Sequence, residues 1–235
     1  MNEKNVAIVL AGGQGKRMNS RENKQYMLLE DMPVLYYSLK IIQDSFMDEI
    51  ILVVPAGQAK YCHQEFVQRY GISKIGNIVE GGKERYHSVY AGIMASNTCD
   101  NIYIHDGARP FLKVEHLEKL RVEVAEHRAC VLAVPVKDTV KIANEEGFIT
   151  HTPVRTSVWA MQTPQVFAYS LIKQAYEELI AKEEHVLDQG IQITDDAMVV
   201  ETFMKRPIKL VEGAYTNIKI TTPEDLLIAT SFLKG

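Results

Sequence analysis

Short apolar runs alternate with longer amphipathic stretches from residue 6 to residue 134, and this order constrains the fold more than any other feature. The apolar runs occupy residues 6–10, 50–54, 77–79, 102–104 and 131–134, and the amphipathic stretches occupy 33–46, 59–70, 84–96 and 114–127. The first kind of segment is typical of buried strands and the second of helices with one apolar face. Their alternation predicts an α/β fold with a mostly parallel, twisted sheet and helices on both faces.

Polar segments that contain glycine or charged residues follow the predicted strands. They occupy residues 11–25, 55–57, 81–85, 105–109 and 135–138. Open parallel sheets bind ligands beyond the carboxyl ends of their strands. We therefore expect a site for a charged ligand at this edge of the sheet.

The first of these segments is a glycine-rich, basic loop. Gly12, Gly13 and Gly15 have no Cβ, so the backbone there can bend sharply and approach a ligand closely. Successive N–H groups can surround a phosphate, and Lys16 and Arg17 add positive charge. The pattern favours phosphate binding over the simple tight turn that is the structural alternative.

Two common phosphate-binding templates do not fit this loop. A P-loop requires glycine where Leu10 stands and Ser or Thr where Arg17 stands. A dinucleotide fingerprint that starts at Gly13 requires glycine at Met18. Neither a P-loop ATPase nor a nicotinamide dehydrogenase is supported. Lys24 lies one loop-length further on and is expected to join the same anion site.

Composition sets the remaining bounds. The 235 residues suffice for one large α/β domain, and the net charge of −4 argues against binding to nucleic acid or to an anionic membrane. The sequence contains no apolar stretch of membrane-spanning length and no recognisable signal peptide. Its three cysteines lack metal-type spacing, so we expect reduced thiols in a cytoplasmic protein.

A β-hairpin is predicted where the alternation stops. Segments 139–143 and 148–152 flank an Asn-Glu-Glu-Gly turn at 144–147. A protruding hairpin has edges that need covering, and a second subunit would cover them. We therefore expect an arm at residues 138–158 that is used for dimerisation.

The last third of the chain predicts helices at 169–183, after Thr194 and after Thr222, and strands at 208–212 and 217–220. Within the last strand Lys219 stands between two isoleucines, so its side chain is expected on the opposite face, within reach of the ligand end.

Two further segments carry chemistry. After the glycines at 81–82, Arg85 and Ser88 could read a nucleobase or ribose, or the segment could be a solvated turn. Asp106, at the end of a strand, could hold a metal, orient a sugar hydroxyl or cap a turn, and Arg109 could grip a phosphate by paired hydrogen bonds.

Taken in order, these segments resemble the 2-C-methyl-D-erythritol 4-phosphate cytidylyltransferase family of the non-mevalonate isoprenoid pathway. The resemblance is carried by Leu-Ala-Gly-Gly-Gln-Gly-Lys-Arg-Met at 10–18, Asn-Lys-Gln at 23–25, Gly-Gly-Lys-Glu-Arg at 81–85, His-Asp-Gly-Ala-Arg-Pro at 105–110, Val-Lys-Asp-Thr at 136–139, Trp-Ala-Met-Gln-Thr-Pro-Gln at 159–165, Thr-Asp at 194–195 and Asn-Ile-Lys at 217–219. The ribitol-5-phosphate cytidylyltransferases share several of these segments and remain an alternative, although the stretch from Trp159 favours the first family.

The resemblance implies a single nucleotidyl-transferase, Rossmann-like domain over residues 1–235 and a homodimer whose arms help to complete each other's site. It implies transfer of CMP from CTP to a polyol phosphate, with Mg²⁺ bound mainly through the phosphates of CTP and no protein ligand assigned. The implied catalytic residues are Arg17, Lys24 and Lys219. The implied CTP site comprises Ala11, Gly12, Gly13, Gly15, Gly82, Ser88, Asp106 and Ala108. The implied polyol phosphate site comprises Arg109, Thr139, Arg155, Thr163 and Thr194, some of them from the partner subunit.

The residues agree with that chemistry. The attacking phosphate oxygen is already an anion, so the enzyme needs alignment and charge neutralisation, without a covalent nucleophile or a strong base. A CTP-binding regulatory module without turnover is the alternative from a different class. Loss of Lys24 or Lys219 would mark such a module, and both are present.

Overall fold

A computed structural model of the protein describes residues 3–12 and 23–234. Its strands are β1 (Asn5–Leu10), β2 (Leu28–Leu29), β3 (Met32–Pro33), β4 (Glu49–Val54), β5 (Ile75–Glu80), β6 (Asn101–Asp106), β7 (Ala129–Pro135), β8 (Ile142–Ala143), β9 (Ile149–His151), β10 (Trp159–Ala168) and β11 (Lys209–Glu212). Its helices are α1 (Val34–Gln43), α2 (Ala59–Cys62), α3 (Arg85–Ala95), α4 (Val114–His127), α5 (Tyr169–Ala181), α6 (Glu183–Asp188), α7 (Asp196–Met204) and α8 (Pro223–Lys234). A π-helical turn, His63–Arg69, continues α2.

Seven strands form one sheet in the order β11-β7-β10-β6-β1-β4-β5. All neighbouring pairs are parallel except the two made by β10, which runs antiparallel between β7 and β6. The mostly parallel sheet is therefore confirmed. The sequence did not predict β10, because Pro164 lies within it and the pairing with β7 shifts register between Met161 and Gln165. Proline cannot donate to a ladder and occurs in sheets mainly at such irregularities.

Helices cover both faces of the sheet, as the sequence predicts. Along β1, Ala7 and Val9 belong to the core that α1 and α4 cover, while Val6 and Ile8 belong to the core that α3, α5 and α7 cover. Strands buried on both faces have no polar alternation, which is why they appear as continuous apolar runs. In the described part of the chain, none of the helices is both long enough and apolar enough to cross a membrane.

The predicted strand at 217–220 is wrong. After β11 the chain turns, with the Asn217 N–H donating to the Ala214 carbonyl at 2.9 Å, and residues 217–220 pair with no strand among those described. One backbone hydrogen bond, from Ile220 N–H to the Ala108 carbonyl at 2.9 Å, fastens this segment beside the end of β6. The isoleucine–lysine alternation therefore reflects a loop with buried apolar anchors.

The predicted hairpin is present, with strands shorter than expected. β8 and β9 pair antiparallel as a separate two-stranded sheet, and Gly147 takes a positive φ of 86° in the turn between them. Its strands and turn are exposed, including Phe148 and Ile149, which are 68% and 63% exposed. The hairpin thus presents apolar side chains to the solvent.

Candidate functional site

The polar segments after β1, β4 and β6 meet at one edge of the sheet. The Gly107 N–H donates to the Leu10 carbonyl at 2.9 Å, and the Ala11 N–H donates to the Val53 carbonyl at 2.7 Å. A Cβ on Gly107 would lie 3.0 Å from the Leu10 carbonyl oxygen, so glycine allows this close approach. These hydrogen bonds bring together the segments that were predicted to meet at the carboxyl ends of the strands.

A wall of close contacts forms around Ser88 at the start of α3. The Gly82 N–H donates to the Ser88 Oγ at 3.2 Å, and a Cβ on Gly12 would lie 3.9 Å from the same oxygen. A Cβ on Gly82 would lie 2.4 Å from the Cβ of His87, so only glycine fits there. Gly12, Gly82 and Ser88, all predicted to bind CTP, are thus neighbours.

The predicted phosphate loop is described only in part. Gly13, Gly15 and Arg17 lie outside the described residues. Lys24 is described and begins a short 3₁₀ turn, Lys24–Tyr26. The next residue, Gln25, is 2% exposed and donates its side-chain N–H to the Ala11 carbonyl. This hydrogen bond fastens the turn that carries Lys24 to the end of β1.

Asp106 is the centre of a cluster of charges at the end of β6. The Lys219 Nζ lies 2.8 Å from one carboxylate oxygen of Asp106, and the Arg109 Nε lies 3.7 Å from the same oxygen. The Arg85 Nε lies 3.8 Å from the other oxygen. Burial alone would raise the pKa of Asp106, but Lys219, Arg85 and Arg109 hold that pKa well below its ordinary value. Asp106 is therefore ionised at neutral pH.

Asn217 and Arg109 fix the loop that carries Lys219. The buried amide of Asn217 donates to the Thr163 carbonyl at 3.1 Å, and Arg109 donates to the Asn217 carbonyl at 2.7 Å. Burial lowers the pKa of Arg109 below its ordinary value, and the charge of Asp106 offsets only part of that effect. Asn217 belongs to the Asn-Ile-Lys segment of the sequence, but its anchoring role depends on β10, which the sequence did not reveal.

A neutral hydrogen-bonded layer lies beneath Asp106. The Thr163 Oγ1 accepts from the Asp106 N–H at 3.0 Å and lies 3.0 Å from the Nδ1 of His105. The His105 Nε2 lies 3.3 Å from the Arg109 carbonyl. Burial lowers the pKa of His105 to about 4, so this ring is neutral at pH 7. The predicted contact of Thr163 with the polyol phosphate stays a prediction.

His105 should make stability depend on pH. In the unfolded chain His105 becomes protonated below its ordinary pKa of about 6.5, whereas in the folded chain it stays neutral down to about pH 4. Protonation between these two pH values therefore favours the unfolded chain. The contribution of His105 to the free energy of unfolding is thus complete above pH 6.5 and falls by about 3 kcal/mol at pH 4. Urea unfolding at pH 7.0 and 4.5 should show a smaller difference for His105→Gln than for the wild type. The exposed His63, changed to Gln, is the control, and equal differences in all three proteins would contradict the assignment.

The residues predicted for the polyol phosphate are not all brought to Asp106. Thr139 and Arg155 are exposed at the base of the hairpin, and neither side chain makes a hydrogen bond or ion pair within the described chain. Thr194 is exposed immediately before Asp195, whose carboxylate caps α7 by accepting the Met198 N–H at 2.9 Å. Arg109 and Thr163 lie in the cluster itself. Ala108 precedes Arg109 in the turn that follows β6.

Arg85 is not the solvated side chain of a simple turn, and its contact with a nucleobase or ribose stays a prediction. Its guanidinium donates to both carboxylate oxygens of Asp196, at 2.8 and 2.7 Å. Burial alone would lower the pKa of Arg85, but the charge of Asp196 and its hydrogen bonds keep it well above its ordinary value. The sequence did not single out Asp196, because an acid in the first turn of a helix is typical of favourable interaction with the helix N-terminus.

Taken together, the site offers fixed cations around one ionised carboxylate and a glycine-lined wall. Lys219 and Arg109 can neutralise phosphate charge, and among the described residues of this cluster no serine or cysteine nucleophile contacts a base. Within residues 3–12 and 23–234, no group of three or more His, Cys, Asp or Glu side chains could hold a metal ion. The arrangement suits alignment and charge neutralisation of phosphorylated ligands.

Comparison with known proteins agrees with this chemistry. Residues 5–235 match the family model of 2-C-methyl-D-erythritol 4-phosphate cytidylyltransferase. Proteins of that name from Lachnoclostridium phytofermentans and Lachnospira eligens are 49% and 48% identical to the chain, covering 99% and 98% of it and 97% and 100% of themselves. The crystal structure of 4-diphosphocytidyl-2C-methyl-D-erythritol synthase from Anaerococcus prevotii aligns with a TM-score of 0.84 and 32% identity, covering 99% of this chain and 97% of that one. This alignment confirms the predicted nucleotidyl-transferase, Rossmann-like fold.

Proposed function

The chain belongs to the 2-C-methyl-D-erythritol 4-phosphate cytidylyltransferase family, and we propose that the charge cluster around Asp106 is its active site. The enzyme transfers CMP from CTP to 2-C-methyl-D-erythritol 4-phosphate and releases pyrophosphate. The observation that carries the proposed location is the contact of Lys219, Arg109 and Arg85 with one ionised carboxylate, beside the wall formed by Gly82 and Ser88.

The cluster acts by positioning and electrostatics. The phosphate oxygen of the polyol attacks the α-phosphorus of CTP in line, and pyrophosphate leaves with the electron pair of the bond that breaks. Asp106 holds the Lys219 ammonium at 2.8 Å, so this charge is in place before the reaction begins. Lys24, Arg17 and Lys219 stabilise the charge that develops on the phosphates, and Arg109 with Thr163 and Thr194 addresses the polyol phosphate.

Mg²⁺ is proposed to bind mainly through the phosphates of CTP. The donor set fits this arrangement, since Asp106 is one ionised carboxylate rather than a preformed group of ligands. Magnesium bound in this way would neutralise phosphate charge.

A homodimer in the cytoplasm is proposed as the working form. The exposed apolar side chains of the hairpin, Phe148 and Ile149 among them, support a second subunit as their cover. Thr139 and Arg155 would then reach the partner's site rather than their own. The three cysteines are free and buried, which supports a reducing compartment.

Pyrophosphate release tests the function directly. CTP and UTP are each supplied with 2-C-methyl-D-erythritol 4-phosphate and with ribitol 5-phosphate. We expect kcat/KM to be about 100-fold or more higher for CTP than for UTP, because the N4 amino group of cytosine is a donor where uracil has an acceptor, and a mismatched group leaves polar atoms of the site unpaired.

Each other result has a definite meaning. Equal kcat/KM for CTP and UTP would overturn base selection by the wall at Gly82 and Ser88. Turnover with ribitol 5-phosphate alone would support the alternative substrate. Binding of CTP without any pyrophosphate release would support the regulatory module.

A further inference from the structure

A buried carboxylate outside the Asp106 cluster is linked to it by Arg85. Asp196 is fully buried at the start of α7. Its oxygens accept the two hydrogen bonds from Arg85 and a third from the Tyr176 hydroxyl at 2.5 Å. Burying an ionised carboxylate is costly unless it is paired and hydrogen-bonded, and here it is both.

The backbone of Asp196 is fixed as well. The side-chain carbonyl of Gln165 accepts from the N–H groups of Asp196 and Ala197 at 3.0 and 2.9 Å. Gln165 lies in β10, which pairs with β6, the strand that ends at Asp106. The carboxylate of Asp196 is thus a fixed point with respect to the active-site strand.

The position of Arg85 follows from this fixed point. Its two terminal nitrogens are taken by Asp196, and its remaining nitrogen, Nε, stops 3.8 Å from Asp106, beyond hydrogen-bond distance. An arginine free of Asp196 would form the stronger two-pronged pair with Asp106. That pair would occupy both oxygens of Asp106, including the one that holds Lys219 at 2.8 Å.

We propose that Asp196 is a positioning residue for cytidylyl transfer, which restrains Arg85 so that Asp106 stays paired with Lys219 and keeps its second oxygen available to CTP. The inference rests on the proposed function of the Asp106 cluster. In this arrangement Arg85 supplies positive charge to Asp106 from 3.8 Å and does not hydrogen-bond to it.

Asp196→Asn is the first test, because asparagine keeps the size and the backbone N–H but cannot form the charged two-pronged pair. We expect kcat with CTP and 2-C-methyl-D-erythritol 4-phosphate to fall about 10-fold to 100-fold while the KM of either substrate changes less than about threefold. Tyr176→Phe is the matched control. It removes a hydrogen bond to the same carboxylate without releasing Arg85, so its kcat should stay within about twofold of the wild type.

A double-mutant cycle with Arg85→Lys tests whether Asp196 acts through Arg85. Lysine keeps the charge but cannot hold two oxygens, so the single variant should also lose kcat, and it remains informative if Asp196→Asn does not fold. We expect the double variant to have no lower kcat than the poorer single variant.

The outcomes separate the inference from the function on which it rests. An inactive wild-type enzyme would overturn the proposed function. With an active wild type, an unchanged kcat in Asp196→Asn, an equal loss in Tyr176→Phe, or additive losses in the double variant would each overturn the positioning role.

Discussion

Lys219→Ala is expected to lower kcat about 100-fold to 1,000-fold, the range measured when one preorganised charge partner of a transition state is removed. The Nζ of Lys219 lies 2.8 Å from Asp106 at the carboxyl end of β6, where the phosphates of CTP are proposed to lie. The side chain is partly exposed and the loop is held by Asn217, so the fold should persist.

The measurement is steady-state pyrophosphate release, with thermal unfolding run in parallel. The matched control is Lys209→Ala, which removes an exposed lysine at the start of β11 and should leave kcat within about twofold of the wild type. A Lys219→Ala enzyme with nearly wild-type kcat would remove this lysine from the mechanism.

At a polyol phosphate concentration well below the raised KM of an Arg155→Ala chain, mixing that chain with a Lys24→Ala chain is expected to restore activity that neither variant has alone. Lys24→Ala should lower kcat about 100-fold or more, and Arg155→Ala should raise the KM of the polyol phosphate without a comparable change for CTP. If Arg155 serves the partner's site, a heterodimer contains one site with both residues intact. Random exchange should then give roughly a quarter of the wild-type activity, because about half of the dimers are mixed and each has one complete site.

Formation of mixed dimers must be shown in the same samples, by co-purification of chains with two different tags. The control replaces the Arg155→Ala chain with a second preparation of Lys24→Ala, whose mixture should gain nothing. Mixed dimers no more active than their parents would mean that each site is complete within one subunit.

Much of the fold could be predicted because strands buried on both faces carry continuous apolar runs. This holds for β1, β4 and β7, whose residues face the two cores alternately. β10 could not be predicted, because Pro164 and its polar neighbours break the apolar pattern. The segment at 217–220 has the alternation of a strand but forms none, because alternation alone does not reveal whether a partner strand is available.

The site could be predicted in part for a related reason. Asp106 and Gly82 follow strands directly, so their location at the ligand edge follows from the order of elements. Arg85 and Asp196 are separated by 111 positions in the sequence, and their pairing depends on how α3 and α7 each pack against α5. The residues next to Asp196 in the sequence do not indicate that it is buried and paired, because its partner, Arg85, comes from a distant part of the chain.

The antiparallel strand has a consequence for how the molecule assembles. β10 alone joins the group β6-β1-β4-β5 to the pair β7-β11, since β6 and β7 do not pair with each other. A nascent chain that has not yet reached residue 168 therefore has the partial sheet β6-β1-β4-β5 and a β7 strand without either of its neighbours, because β11 also lies further along the chain. The open edges of β6 and β7 are then prone to pair with other chains. β10 follows the hairpin and joins the sheet into one unit, so the chain that leaves the proposed dimerisation arm also completes the core.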